Sequence, residues 1–239
     1  MATSVKELSN ERKSALTAGI SLIIMALAAF FSYGFVHGSL VVNGDASTTF
    51  NNIMSSNSLF KAGILGWVII LISDIVVAWA LYIFLKPINK NLSLLGAWLR
   101  LAYSTILGIA IMNLIFVMLL SRHTNHLSSF KIEQTQSFMM LFLEAFESIW
   151  SIGLIVFGGH LLIVGYVALK SDSIPKVFSI LLLLASIGYI VIHLSKTFLS
   201  QYEGVIAILN LVFTMPMIVG ELGFGIWLLL RGGKLPKSA

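Results

Sequence analysis

The chain has 239 residues, 58% of them hydrophobic and only 10% charged, with a net charge of +5 and no cysteine. A soluble domain carries about 25% charged residues, so a water-borne globular fold is excluded, as are disulfides, thiolate catalysis and thiolate-bound metals. The cations cluster at the ends of long apolar runs, which makes the positive balance a signal of membrane orientation and leaves nucleic-acid binding without support.

Six apolar runs, at about 15–36, 61–85, 94–121, 149–169, 177–198 and 205–230, account for the composition. Each is near the roughly 20 residues that a helix needs to cross the hydrocarbon core. Lipid offers the backbone no hydrogen-bond partner, so a span is a helix or part of a closed barrel. Unbroken apolar runs without alternation select helices. The predicted fold is all-α: a polytopic bundle of six transmembrane helices forming a single domain over residues 1–239.

The first run, "ISLIIMALAAF", follows a basic stretch and places Ala26 and Ala28 as a cleaved leader would. Apolar character continues through Phe30, Phe31, Tyr33 and Phe35, long enough for a retained span. The loop after it, "VVNGDASTTFNNIMSSNSLFKAG", opens on an Asn43-Gly44 turn, and Asp45 caps a short interfacial helix from Ala46 to Met54. Further on, "QSFMMLFLEAFESIWSIGLIVFGGHLLIVGYVALK" overshoots a core of about 30 Å by some 20 Å. Either that helix projects outward, or residues near 136–148 form an extra interfacial helix that bends into the fourth span. Glu144 and Glu147 lie one turn apart there, where Arg122, His123 and His126 would meet them in an external metal or anion site; the plainer reading is a solvated amphipathic face. In "KSDSIPK", Pro175 suits the first turn of the fifth span.

Lys6, Arg12 and Lys13, then Lys86 and Lys90, Lys170 and Lys176, and finally Arg231, Lys234 and Lys237 fall on one side of the membrane. The other side holds only Lys61, Arg122, Lys131 and Lys196. The positive-inside bias then places both termini in the cytoplasm.

Within the spans, four polar residues stand near mid-membrane: Asp74, Arg100, His160 and Glu221. Charges at that depth cost several kcal/mol on insertion scales, so they are expected to face the bundle interior and one another. Arg100 is the countercharge for Asp74, His160 a polar partner, and Asp74 with Glu221 the groups able to exchange a proton, a role left open to His160 as well. Duller roles compete: Arg100 as a snorkelling anchor, His160 as a bonded core residue, and the acids as a structural clasp. Asn210, Thr214 and Glu221 share one stripe of the sixth span. On the fifth, Ser179, Ser186 and His193 repeat every seven residues beside Tyr189, and on the third Arg100, Ser104 and Gly108 repeat every four.

The stretches "NGDASTTFNNIMSSNSLFKAG", "SDIVVAWALYIFLKPINKNLSLLGAWLRL", "GLIVFGGHLLIVGYVALKSDSIPKVFSILLLLASIGY" and "GELGFGIWLLLRGG" resemble the bacterial membrane proteins grouped as the domain-of-unknown-function 4386 family. The resemblance covers nearly the whole chain and takes in Asp45, Thr48, Asn52, Asp74, Tyr82, Pro87, Arg100, His160, Tyr166, Pro175, Tyr189 and Glu221. Gly159 departs from it, standing where a larger apolar residue precedes the histidine. It implies a multi-helix protein of the bacterial cytoplasmic membrane and supplies no chemistry.

Neither H-E-x-x-H, G-x-S-x-G nor a Walker loop is present. His160 and His193 are too far apart in depth for one bis-histidine haem, and no serine–histidine pair stands in a telling context. No cofactor or metal is therefore expected, and the expected partners are the lipid bilayer and a small-molecule or ion ligand. The first functional expectation is binding or translocation of such a ligand at the buried polar site. An intramembrane enzyme acting on a lipid-like substrate and a structural or accessory subunit are the alternatives.

Overall fold

The computed structural model describes residues 9–121 and 131–233, and the regular structure within them is helical. Its elements are α1 (Asn10–Leu40), α2 (Ala46–Ser55), α3 (Asn57–Leu85), α4 (Lys90–Leu120), α5 (Ile132–Leu169), α6 (Lys176–Phe198) and α7 (Glu203–Leu230). All but α2 are long and apolar enough to cross a membrane, so the protein is a six-span helical bundle.

Local chemistry sets the helix starts. Ser9 Oγ accepts from the Arg12 amide at 3.2 Å, and Asn89 Oδ1 accepts from the Leu92 amide at 3.0 Å, each satisfying an orphan donor of a first turn. Gly44 takes a φ of 77°, the left-handed turn expected of Asn43-Gly44. Directly after it, Asp45 accepts from the Thr48 amide at 2.9 Å and from the Thr48 hydroxyl at 2.6 Å, starting α2. These donors hold the exposed Asp45 carboxyl below the ordinary carboxylate range, the Thr48 hydroxyl contributing most.

The interfacial helix is α2 alone. Residues 136–148 form no separate element: Ile132–Leu169 is one continuous helix of 38 residues, about 57 Å at 1.5 Å per residue. Its projecting first turns are braced by α2, whose Ser47 Oγ lies 3.4 Å from Gln136 Nε2. Burying Phe50 and Ile53 of α2 removes the need for a bend.

Successive spans pack side by side, and the last returns to the first, so the ring runs α1–α3–α4–α5–α6–α7 and back to α1. Small residues set several of these contacts. A Cβ on Gly158 would meet Ser186 O at 3.1 Å, and one on Gly165 would meet Ser179 O at 3.1 Å. Ser151 Oγ and His193 Nδ1 are hydrogen-bonded at 2.8 Å, continuing the series. On both helices the partners step by seven, an antiparallel ladder that brings α5 and α6 together. Between α1 and α3, the stretch Phe30–His37 winds in a wider i→i+5 turn that presses Ser32 and Val36 onto Gly66 and Gly63.

Closure at the termini side rests on Arg12. Its guanidinium donates to the carbonyls of Leu228 at 2.9 Å and Gly232 at 2.8 Å, and to that of Leu229. It thereby satisfies the orphan acceptors at the negative end of α7. Beside it, Gly19 and Gly225 allow α1 and α7 to meet at backbone distance. Towards the far side α7 is bare: Leu211 is 81% exposed, and Pro216, which lacks the amide to bond back to Val212, divides that half from the packed half.

A candidate binding site at the centre of the helix ring

The ring encloses a cavity of about 1050 Å³ that runs from the far side to mid-span. Asp74 at its inner end is completely buried, and Arg100 is 1% exposed. Arg100 donates from Nε to Asp74 Oδ1 at 2.9 Å and places Nη2 2.6 Å from the same oxygen. Its Nη1 lies 3.0 Å from His160 Nε2, and His160 Nδ1 lies 2.8 Å from Gly96 O. The Phe157 ring stands 5.2 Å from the guanidinium carbon, and Nη2 also reaches Met25 Sδ at 3.6 Å. Four spans thus converge on one cation, since Met25 belongs to α1, Asp74 to α3, Arg100 to α4, and Phe157 and His160 to α5.

Donor counting fixes the histidine. Arginine has no acceptor, so His160 Nε2 must accept from Nη1, and Nδ1 must carry the proton it donates to Gly96 O. His160 is therefore a neutral tautomer with both nitrogens used, and the proton-exchange role left open to it in the sequence is withdrawn. Arg100 does not snorkel; it is enclosed. The Arg100, Ser104 and Gly108 face is in part a packing surface: Ser104 Oγ donates to the Arg100 carbonyl at 2.8 Å, and a Cβ on Gly108 would meet Leu71 at 3.2 Å.

Both Arg100 contacts fall on Oδ1, and the second carboxylate oxygen, Oδ2, is buried with no hydrogen-bond partner among the described residues. Glu221 borders the same cavity. It is half-buried and accepts from the Tyr189 hydroxyl at 2.7 Å on Oε1. The Phe157 ring lies beside both tyrosines, its centroid 5.1 Å from that of Tyr189 and 5.0 Å from that of Tyr103. Asp74 and Glu221 thus share one space while each keeps its own partner.

The secondary residues divide. Thr214 lines the cavity, whereas Asn210 turns its amide to Ile206 O at 2.8 Å within α7. His193 closes the ladder with Ser151, a pair hidden in the sequence because its members lie on different spans. Ser151 sits inside a helix whose amides are already bonded, so no free backbone donors stand ready to hold an oxyanion, and the pair is a clasp.

Sequence reasoning missed the aromatic wall. Tyr33, Trp67 and Trp150 meet edge to face, with centroids 6.3 Å apart for Tyr33–Trp67, 5.1 Å for Tyr33–Trp150 and 4.9 Å for Trp67–Trp150, and all three line the cavity. Trp150 Nε1 donates to Tyr103 OH at 3.3 Å. At the far mouth Glu147 lies 3.7 Å from His37 Nε2, while Glu144 is exposed. Arg122, His123 and His126 lie outside the described residues. Among those described, no three histidine or acidic side chains gather at metal-binding spacing.

These features define a multi-pass, all-helical membrane protein whose spans ring an aromatic-walled cavity with a buried arginine–aspartate–histidine cluster at its inner end. The chain belongs to the family described as Domain of unknown function (DUF4386), which it matches over residues 17–232. It is similar to an uncharacterized protein of Archaeoglobus fulgidus, 33% identical over 174 residues, covering 73% of this chain and 86% of the relative. No solved structure matches the chain.

Proposed function

We propose that the protein binds a small molecule or ion in its central cavity and exchanges it for a proton at Glu221, moving it between the two sides of the membrane. The observation that carries this reading is the placement of Glu221 and the unpartnered Asp74 oxygen on one cavity of about 1050 Å³. Asp74 and Arg100 cancel in charge, and His160 is neutral. Among the described residues, Glu221, hydrogen-bonded to a neutral phenol, is the carboxylate at this depth without a countercharge of its own.

In a low-dielectric site a proton or a bound cation must supply that charge. The two neutral states, one with protonated Glu221 and one with ionised Glu221 and cationic cargo, exchange one positive charge for another. The Arg100 cluster positions α3, α4 and α5 and stays fixed through the cycle. With both termini cytoplasmic, as the lysine and arginine bias implies, the cavity opens to the outer side.

Proteoliposomes holding a trapped pH dye test this reading. They are challenged with monovalent inorganic cations, amino acids and organic amines in turn. At least one class should drive proton movement through the wild type, Glu221→Gln should abolish it, and Glu221→Asp should restore part of it. Equal proton movement in Glu221→Gln, or none with any class in the wild type, would overturn the proposal.

A further inference from the structure

The chemistry of the wall narrows the cargo. Tyr33, Trp67, Tyr103, Trp150, Phe157 and Tyr189 all line the cavity. Aromatic faces attract cations within about 6 Å, most strongly when desolvated. The inner end adds the Glu221 carboxylate and Asp74, whose buried Oδ2 has no hydrogen-bond partner among the described residues. An anionic head group would find no welcome there, because Arg100 already engages Asp74, His160 and Met25 through Nε, Nη1 and Nη2. A bare metal ion would need six or so oxygen ligands, and the wall is largely ring and aliphatic carbon. The volume lies just above the roughly 300–1,000 Å³ typical of pockets for drug-sized molecules.

The way in is lateral. Backbone-close contacts and hydrogen bonds between α1 and α7 lie at Arg12–Leu22 and Gly225–Gly233. Beyond them the two helices face each other across the cavity, and lining residues on either side of the seam are open: Phe30 is 77% exposed and Ile218 is 50% exposed. Apart from Thr214 and Glu221, the α7 lining residues around this seam, Met217, Ile218 and Leu222, are apolar, as a seam facing the lipid tails requires.

We infer that the cavity takes a lipophilic organic cation, admitted from the bilayer through the seam between α1 and α7, with its charge seated between Glu221 and Asp74 Oδ2 and its apolar groups against the Tyr33, Trp67 and Trp150 wall. This rests on the proposed proton exchange at Glu221 and names the ligand for that site. The titratable groups facing Glu221 across the cavity are Tyr33 of α1, Asp74 of α3, Tyr103 of α4, Glu147 of α5, and Tyr189, His193 and Lys196 of α6.

The test uses purified full-length protein and two probes of matched shape and opposite charge, tetraphenylphosphonium and tetraphenylborate. Radiolabelled tetraphenylphosphonium should bind saturably at one per chain. Unlabelled tetraphenylphosphonium should displace it and tetraphenylborate should not. Trp67→Leu and Trp150→Leu, checked for folded yield by gel filtration and circular dichroism, should each weaken binding tenfold or more. Displacement by tetraphenylborate as effective as by the cation, or wild-type affinity in both tryptophan variants, would overturn the ligand class.

Two further outcomes separate this inference from the reading beneath it. If tetraphenylphosphonium fails to bind while another cargo still drives Glu221-dependent proton movement, the ligand class falls and proton exchange stands. If it binds wild type and Glu221→Gln alike at both pH 5.5 and pH 8, the ligand class stands and proton exchange falls. The native chain has no cysteine, so Ile218→Cys carrying a bulky maleimide blocks the seam selectively. It should slow association at least tenfold, whereas the same label on Ile72→Cys, exposed on α3 and outside the cavity lining, should leave the rate unchanged. Equal rates would overturn the lateral route.

Discussion

Replacing Arg100 by methionine isolates the energetics of the buried cluster. In the native protein Asp74 is fully enclosed and its only bonded partner is the guanidinium. Removing that partner strands a carboxylate at mid-span, a class of change that costs about 3–5 kcal/mol. The same change leaves His160 Nε2 without a donor, and a buried orphan acceptor contributes about 1–3 kcal/mol of that loss. Pairing Arg100→Met with Asp74→Leu removes both charges at similar volume, so only the histidine remains unsatisfied. The double variant should then be more stable than the single by about 2 kcal/mol, because mutual neutralisation of a buried pair by apolar side chains is often close to neutral. Reversible unfolding in mixed micelles, titrated with a denaturing detergent, measures both. A double variant no more stable than Arg100→Met, or a single variant within about 1 kcal/mol of wild type, would refute the claim that Arg100 and Asp74 depend on each other.

Gly158→Ile drives a side chain against Ser186 O, 3.1 Å from where its Cβ would sit, and overpacking of this kind should cost about 1–3 kcal/mol in the same assay. Gly204→Ala, with nothing within 4 Å, serves as the control. Arg12→Gln should open the termini-side closure, read as faster hydrogen exchange in the last turn of α7 with the first turn of α4 unchanged. The start of α2 should be acid-sensitive. Because the folded Asp45 carboxyl titrates below its unfolded value, its cap contributes fully above the ordinary carboxylate pKa of about 3.9 and is lost as pH falls through the lowered one. Amide exchange over Ala46–Phe50 should therefore quicken in that window, and Asp45→Asn should erase the pH dependence.

Much of the architecture was legible because bilayer thickness imposes a length that composition reveals. The short helix was legible too, since Asn43-Gly44 followed by Asp45 is a local signal. The Asp74–Arg100 pairing followed from the scarcity of charge in the spans. The helix faces did not. On α3, Leu65, Ile69 and Ile72 meet lipid while Trp67 and Ile70 are buried, and no difference in polarity separates them. A helix apolar all round carries no amphipathic stripe to read. That is why the aromatic wall went unseen, and why the seven-residue repeat of Ser179 and Ser186 did not reveal them as small residues that let α5 approach. The N-terminal end of α5 escaped the apolar window because the helix continues past the hydrocarbon, where α2 supports it. The protonation of His160 stayed open for a different reason: it follows from the orientation of Arg100, which only three-dimensional contacts supply.

The guanidinium that joins the beginning of the chain to its end also sets an order of assembly. Five of the six interhelical seams can form as the chain is inserted, each between a span and its successor, but the sixth must wait until α7 has been made. The doorway assigned to the cargo lies in that final seam, so the latest joint to form is also the one required to give way during use. With residues 12 and 232 in direct contact, a circular permutant that links the old ends and cuts the Lys86–Lys90 turn would transfer this late closure to the α3–α4 boundary, turning the doorway into an ordinary early-formed contact.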